Sequence, residues 1–352
     1  MSNEAWQSLV DLGSLRGWMD QEGLGRGDIE NPTLLTGGTQ NILLRFRRSE
    51  RDFVLRRSPR HPRGDGNATN RREAKVLKGL ASTMVPHPRL IAACSSEEVI
   101  GAAFYLMEPI EGFNATVKLP ALHAGDASIR RRMAFALVEG ALSLGRVDYV
   151  AAGLADLGKS QGFLDRQVPR WRALLDSYHD YNEWPGPDAF PGLDDVAAWL
   201  TRNQPKDFTP GLLHGDYHLS NVMYRGDGPE LAAIVDWELT TIGDPLLDMG
   251  WIMATWADPQ GNTTSENTIR PWDGFPPIEE LVAHYATGST RDSSNIRWYG
   301  VLACYKLGII LEGTYARACS GLAAKDTGER LHNSSIKLFR RALGWLERGD
   351  LS

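Results

Sequence analysis

The sequence has little of what marks secreted, zinc-binding or nucleic-acid-binding proteins. It holds 3 cysteines in 352 residues, with neither a C-x-x-C nor an H-E-x-x-H spacing. We therefore expect reduced thiols rather than a disulfide framework or a zinc site. Basic residues are outnumbered, with 38 Lys and Arg against 44 Asp and Glu and a net charge of −6. That balance argues against a nucleic-acid partner, which usually requires a basic face.

Long apolar runs are also missing. The sequence contains no stretch of about 18 apolar residues that could span a membrane, so no membrane partner is expected. The first residues, MSNEAWQSLVDLG, lack the basic start and apolar core of a signal peptide, which favours a cytoplasmic location. We find no internal repeat. A chain that is 42% hydrophobic and 23% charged is typical of a globular protein, and this length allows two lobes.

The polar groups that suggest chemistry lie in residues 213–248. His214, Asp216 and Asn221 follow the spacing H-x-D-x-x-x-x-N, and Asp236 comes fifteen positions later. Two apolar runs, residues 219–224 and 232–235, are separated by the turn sequence RGDGP and predict a hairpin. Such a hairpin would bring Asn221 and Asp236 close together.

This set of residues suits phosphoryl transfer. The reaction needs a carboxylate to orient or deprotonate the acceptor hydroxyl, and Mg²⁺ on the nucleotide phosphates. We assign the first role to Asp216. Carboxylate and amide oxygens are ligands that Mg²⁺ accepts, so Asn221 and Asp236 are the predicted metal ligands. His214 is expected to support the loop, as in the kinase pattern. The alternative is a solvated loop with incidental carboxylates.

Three segments carry a family resemblance. HGDYHLSN at 214–221, IVDWE at 234–238 and GDPLLD at 243–248 resemble the aminoglycoside phosphotransferase and choline kinase-like family of small-molecule kinases. Within it, the sequence is similar to the branch found as a kinase-like domain fused to some acyl-CoA dehydrogenases. The resemblance implies an α+β class and a bilobal protein-kinase-like fold. A small antiparallel-sheet N-lobe would comprise residues 1–108, and a larger, mostly helical C-lobe residues 109–352.

The expected nucleotide site begins in the first hairpin of the N-lobe. Two glycines allow the backbone to approach a phosphate closely, and the following amides can donate to it. The residues in this loop are Gly37, Gly38, Thr39, Gln40 and Asn41.

The third strand ends without the lysine that most kinases place there. Strand periodicity puts Val54 and Arg56 on one face. We expect Val54 to line the adenine and Arg56 to reach the phosphates, because a guanidinium fork suits phosphate and carboxylate alike. Glu73, on a helix predicted over 71–80, is the candidate partner of Arg56. The alternatives are an exposed arginine and a solvated glutamate. By resemblance, backbone groups of Glu108 and Ile110 would contact the adenine.

Helical periodicity dominates after the predicted hinge at 109–113. The predicted helices cover residues 129–147, 163–181, 193–200, 251–256, 278–285, 296–318 and 331–346. By resemblance, the acceptor cleft lies between the last helices and the catalytic loop. Trp256, Glu312, Tyr315 and Arg317 are candidates to line it, or else form core contacts and a charged helix face.

These observations predict an enzyme, an ATP- and Mg²⁺-dependent kinase acting on a hydroxyl of a small molecule. The acyl-CoA dehydrogenase-associated branch suggests a hydroxyacyl-type acceptor, and an aminoglycoside-like amino alcohol stays open. A different class of function, a nucleotide-binding pseudokinase scaffold, is the alternative. It is favoured by the missing lysine and disfavoured by the presence of Asp216, Asn221 and Asp236 together. The sequence leaves open the choice of ATP or GTP and the oligomeric state.

Overall fold

The computed structural model describes residues 6–35, 41–59, 64–264 and 268–349, which form two compact units. The first unit comprises Met1–Glu111, Tyr149–Leu154 and Ala232–Glu238, and the second Gly112–Asp148, Ala155–Leu231 and Leu239–Ser352. The first division, after Glu111, lies close to the boundary that we expect after residue 108.

The first unit is built on a five-stranded antiparallel sheet in the order β1-β2-β3-β5-β4. Its strands are β1 (Glu30–Leu34), β2 (Ile42–Arg48), β3 (Arg51–Arg57), β4 (Leu90–Cys94) and β5 (Phe104–Met107). Its helices are α1 (Leu12–Gln21) and α2 (Gly66–Leu80), whose first turns are capped by the side chains of Asp11 and Asp65.

The two faces of this sheet serve different purposes. One face packs on α1 in an apolar core that includes Leu55 and Phe104, and Trp18 of α1 meets Phe104 edge-on at 4.8 Å between ring centroids. Because neighbouring residues of a strand point to opposite faces, Arg56 lies on the other side, where it bonds to Glu73 of α2. Residue alternation in β3 thus separates the apolar core from the charged face.

The second unit is mostly helical. Its helices are α3 (Ala121–Gly125), α4 (Ala127–Gly145), α5 (Gln167–Asp176), α6 (Leu193–Arg202), α7 (Leu246–Thr255), α8 (Ile278–Gly288), α9 (Ile296–Cys319) and α10 (Lys325–Arg348). The short strands are β6 (Gly211–Leu213), β7 (Val222–Tyr224), β8 (Leu231–Ile234) and β9 (Thr241–Gly243). β6 and β9 pair antiparallel, and β8 begins where the two units divide.

The α+β class and the kinase-like arrangement of a small sheet and a helical part are confirmed. Some predicted boundaries are wrong. α7 begins at Leu246 rather than 251, and Asp244, two residues before its start, accepts a hydrogen bond from the Leu246 amide at 3.0 Å. α10 begins six residues before the predicted start of 331. None of the described helices combines the length and the apolar character needed to cross a bilayer.

The helices α7 and α9, which both contribute to the site described below, approach closely at a glycine. A Cβ atom built on Gly250 would lie 2.4 Å from the carbonyl oxygen of Tyr299. The obstacle is backbone inside a helix, which cannot rotate away. The pair of helices therefore requires glycine at this position.

We predict that Gly250→Ala lowers the free energy of unfolding by about 1–3 kcal/mol, since overpacking must separate α7 from α9. Gly17→Ala is the matched control. Gly17 also lies inside a helix, and an added Cβ would meet nothing within 4 Å, so alanine should stabilise by about 0.5–1 kcal/mol. Urea denaturation of both variants measures the difference, and equal effects would contradict the packing argument.

Candidate active site

The predicted catalytic loop follows β6, and a buried carboxylate of α7 holds its backbone. Asp248 of α7 accepts hydrogen bonds from the backbone amides of His214 at 2.7 Å and Gly215 at 2.9 Å. Its side chain is 1% exposed. The two charge-assisted bonds satisfy this carboxylate and fix the loop to α7. Asp248 thus braces the loop.

Gly215 takes a backbone conformation that other residues rarely adopt. Its φ is +85°, and a Cβ atom would lie 2.6 Å from the carbonyl oxygen of Leu239. Both the left-handed conformation and the close backbone approach need glycine. The glycine between His214 and Asp216 therefore serves the shape of the loop.

Asp216 is held by two neighbours. Asn221 donates from Nδ2 to Asp216 Oδ2 at 2.8 Å and to its backbone oxygen at 2.9 Å. His218 Nε2 lies 3.2 Å from Asp216 Oδ1. His218 also accepts from the Ser220 amide through Nδ1, and this contact turns residues 219–221 into a 3-10 turn. The strand predicted over 219–224 is therefore wrong in its first half and begins at Val222.

The surroundings of Asp216 favour its ionised form. Burial acts to raise the pKa of the carboxyl, but His218, His214 and Lys306 outweigh burial and hold the pKa well below its usual range. The His214 ring also accepts weakly from the Asp216 amide, at 3.3 Å, in agreement with a supporting role. A carboxylate with so low a pKa is a weak base, so its contribution must come from orientation.

Lys306 contacts this loop, and our sequence reasoning did not include it in the site. It lies on α9, about ninety residues from the loop, and its Nζ donates to the carbonyl oxygen of Gly215 at 2.9 Å. The only signal in the sequence is a lysine inside the apolar run VLACYKLGII. A buried lysine is rare unless it is paired.

In the first unit, Arg56 connects two carboxylates. It donates to both oxygens of Glu73, at 2.7 Å from Nε and 2.5 Å from Nη2, and from Nη2 to Asp236 Oδ1 at 2.9 Å. Tyr105 donates its hydroxyl to Glu73 at 3.1 Å. Burial raises the pKa of the Glu73 carboxyl, and the Arg56 guanidinium acts against that rise. The pair that the sequence predicts is therefore present, and Arg56 is neither exposed nor unpaired.

Asp236 has the chemistry expected of a metal ligand. Carboxylate oxygens of Glu73, Asp236 and Glu238 lie within 4.8 Å of one another, and the Asp236 side chain is 39% exposed. Such hard oxygens fit Mg²⁺. Its φ of +68° is an uncommon conformation for a residue with a side chain, of the kind that concentrates at functional sites. Asn221 belongs to the other unit, so shared metal binding stays a prediction.

The remaining predicted nucleotide contacts are placed as follows. Gly37, Gly38, Thr39 and Gln40 lie outside the described residues, and Asn41 directly precedes β2. Val54 is 3% exposed and pairs with Met107 in the sheet. The Glu108 amide donates to the carbonyl oxygen of Arg89 at 2.9 Å. The adenine-binding roles of Val54, Glu108 and Ile110 stay predictions.

A cavity of about 180 Å³ lies beside the catalytic loop within the second unit. His218, Leu219 and Ser220 of the loop form part of its wall. The rest of the wall is mostly apolar and consists of Thr116, Thr255, Ala257, Thr263, Ile269, Trp272, Leu307, Leu311, Arg330, Leu331 and Ser334. Within the described part of the chain, His218 and Arg330 are its ionisable groups, and no carboxylate lines it.

The four residues predicted to line the acceptor cleft are not in this wall. Glu312 is fully buried and accepts from Trp184 Nε1 at 2.8 Å, with His332 Nδ1 2.7 Å away. The Tyr315 ring stacks on His332, Trp256 packs among other aromatic rings, and Arg317 bonds to Leu322 near the end of α9. These side chains serve packing, because the inward face of α9 that reaches the cavity carries Leu307 and Leu311 instead.

Comparison with known proteins supports the resemblance that the three motifs carry. Residues 33–281 match the sequence profile of the APH phosphotransferase enzyme family. Acyl-CoA dehydrogenase family member 11 of Rattus norvegicus is 28% identical over 96% of this chain and 44% of its own length. The probable acyl-CoA dehydrogenase IBR3 of Arabidopsis thaliana is 29% identical over 91% and 39%. The chain thus spans less than half of these relatives.

Solved structures agree on the fold. A candidate aminoglycoside phosphotransferase of Ralstonia eutropha JMP134 is 26% identical, with a TM-score of 0.77 over 95% of this chain and 98% of that one. A thermostable mutant of aminoglycoside phosphotransferase APH(4)-Ia, in complex with ADP and hygromycin B, has a TM-score of 0.56 at 16% identity over 93% and 98%. The predicted family, including its acyl-CoA dehydrogenase-associated branch, is confirmed.

We predict that Arg56→Met costs about 3–5 kcal/mol of folding stability, because Glu73 would be left as an uncompensated buried charge. The double variant Arg56→Met with Glu73→Leu should recover most of the loss. The control Arg45→Met breaks the half-exposed pair of Arg45 with Asp52 and should cost less than about 1 kcal/mol.

The same variant has a predictable pH dependence. Without the guanidinium, burial and the Asp236 carboxylate both raise the pKa of Glu73 against the hydrogen bond from Tyr105 alone, so the folded-state pKa lies further above that of the unfolded chain. A raised folded-state pKa adds stability at low pH that is lost as pH rises through it. Denaturant titrations of Arg56→Met should therefore show a smaller loss at pH 5 than at pH 8. The opposite trend would contradict the burial of Glu73 as the cause.

Proposed function

Because the chain belongs to the phosphotransferase enzyme family, we propose that it is an ATP- and Mg²⁺-dependent kinase that phosphorylates a hydroxyl of a small, hydroxyacyl-type molecule. The observation that carries the proposal is Asp216, an ionised carboxylate held by Asn221 and His218 beside a cavity.

Asp216 would act by orientation. Its carboxylate would accept the hydrogen bond of the acceptor hydroxyl and direct the oxygen at the phosphorus atom. Little basicity is needed, because the transition state of phosphoryl transfer is loose and the proton can leave late. His218 and Asn221 restrict the rotation of the carboxylate. That restriction supplies the positioning from which most catalysis of this reaction arises.

On the donor side, Arg56 would hold the nucleotide phosphates while Glu73 fixes its orientation. The guanidinium can replace the usual lysine, since its remaining N–H groups suit phosphate oxygens. Asn221 and Asp236 would hold Mg²⁺, which offsets negative charge on the phosphates. Removing the metal should therefore abolish transfer.

The cavity lining favours an acceptor with an apolar chain and an acidic or neutral group over a polycationic aminoglycoside. Its described wall is mostly aliphatic and aromatic, with Arg330 as the fixed positive charge. A cationic acceptor would lose hydration here without meeting a carboxylate among the described lining residues. A hydroxyacyl compound would bury its chain and place its acid or ester oxygen toward Arg330.

We expect ADP release from ATP and Mg²⁺ to depend on a hydroxyacyl compound when the protein is assayed against hydroxyacyl-CoAs, free hydroxy acids, aminoglycosides, choline and homoserine. Parallel assays with GTP would define the donor. Asp216→Asn, which keeps the size of the side chain, should lower kcat by roughly 10²–10⁴-fold.

The other outcomes are equally informative. Release driven by aminoglycosides would overturn the acceptor class, and release that persists in EDTA would overturn the metal requirement. Nucleotide binding without release for any compound would favour the scaffold alternative.

Arg330→Gln tests the acceptor chemistry directly. We predict a rise of about 10-fold or more in KM for an acidic acceptor, as expected for loss of a hydrogen bond to a charged group, with KM for ATP unchanged. Arg340→Gln is the control, because Arg340 is an exposed arginine of the same helix. If Arg330→Gln lowers the KM of a cationic acceptor instead, the site selects cationic acceptors and the hydroxyacyl assignment is wrong.

A further inference from the structure

Lys306 occupies an unusual position for a charged side chain. It is 6% exposed, and its Nζ lies 5.2 Å and 5.1 Å from the ring centroids of Trp171 and Trp251. Two indole rings thus flank the ammonium group, each able to stabilise the charge by a cation–π interaction. The hydrogen bond to the Gly215 carbonyl oxygen, at 2.9 Å, gives the ammonium a definite direction.

The amide of Gly215, on the other side of this residue from its carbonyl, is held by a negatively charged carboxylate. The Gly215 amide donates to Asp248 Oδ1 at 2.9 Å, while its carbonyl accepts from Lys306. A residue whose N–H meets a carboxylate and whose C=O meets an ammonium has neither backbone group free to rotate. The peptide bond that Lys306 contacts is the one that joins Gly215 to Asp216.

We propose that Lys306 is a positioning residue, which fixes the Gly215–Asp216 peptide and thereby aims the carboxylate of Asp216. The inference rests on the proposed function for its effect on turnover, but its effect on the loop can be measured without turnover. Asp248 alone cannot fix the Gly215–Asp216 peptide, since it holds only the amide of Gly215 and the amide of His214.

The charged groups around Lys306 come from three elements. Asp216 of the loop and Asp248 of α7 favour its ammonium form, and Arg170 of α5 disfavours it. The helices α6 and α10, which also pack on α9, contribute none of these three. Burial is the largest influence and lowers the pKa of Lys306 from 10.5 to about 8. Above that pH the Gly215 carbonyl would keep at most a neutral amine as donor.

Activity and stability should then respond to pH in opposite directions. Between about pH 8 and 10.5 the unfolded chain retains the lysine proton that the folded chain has lost. Stability therefore rises with pH in that window as far as this group is concerned. If Lys306 orients Asp216, kcat falls over the same window. If Lys306 only filled space, kcat would not fall with pH over the window in which folding stability rises.

The experiment compares wild type with Lys306→Met, Lys306→Arg and the control Lys337→Met, an exposed lysine on α10. ADP release from Mg-ATP, with a hydroxyacyl-CoA as acceptor, is measured from pH 6.5 to 10. We expect Lys306→Met to lower kcat by about 10- to 100-fold, the effect of losing a charged hydrogen bond, and to leave KM for ATP within about twofold. Lys306→Arg should retain activity and move the alkaline decline to higher pH.

Amide hydrogen exchange of the peptide covering residues 213–218 provides the second readout. It needs neither acceptor nor turnover, so it tests the positioning role even if the chain transfers no phosphoryl group. We expect exchange to rise in Lys306→Met and not in Lys337→Met, with both variants folded by circular dichroism. Unchanged exchange in Lys306→Met overturns the proposal, as does a kcat profile that is the same in all three variants.

If Lys306→Met does not fold, wild-type protein still decides the matter. Exchange at residues 213–218 should then increase between pH 8 and 10 beyond the intrinsic rise shown by a reference peptide from α4. A parallel course for the two peptides would contradict the role of Lys306.

Discussion

The structure of the catalytic loop depends on one buried carboxylate. Asp248 receives the amides of His214 and Gly215, and the loop can only take this course because Gly215 has a positive φ. The carboxylate is delivered by α7, whose position is set in turn by the glycine contact with α9. Close packing of two helices is thereby converted into a fixed direction for Asp216, the residue that follows.

Arginine in place of the usual lysine of the third strand has a physical consequence in the first unit. A lysine offers a point charge, whereas the fork of Arg56 spans both oxygens of Glu73 and still reaches Asp236. The two acidic side chains would otherwise repel each other. Their arrangement is therefore set by the guanidinium before any nucleotide binds. The free energy needed to bring these three charges together is supplied by folding rather than by nucleotide binding.

Local sequence was sufficient to predict the parts of the site that are local. The H-x-D-x-x-x-x-N spacing identified Asp216 and Asn221, which the structure joins by hydrogen bonds, and strand periodicity placed Arg56 on the face that meets Glu73. Prediction from local sequence failed where contacts of a side chain determine the local structure or its burial. The ring of His218 replaces the first half of a predicted strand with a turn, and Glu312, a plausible cleft residue by position, is buried by Trp184 and His332.

Lys306 shows why this limit is physical. Helical periodicity predicts which face of α9 is buried but is blind to what the face meets, and α9 is apolar on nearly every side. A lysine there is costly unless carboxylates, aromatic faces and a carbonyl converge on it. Those partners come from α5, the loop and α7, three separate parts of the sequence. A charge retained at such a cost, beside the residue that must be aimed, is better explained by orientation than by stability.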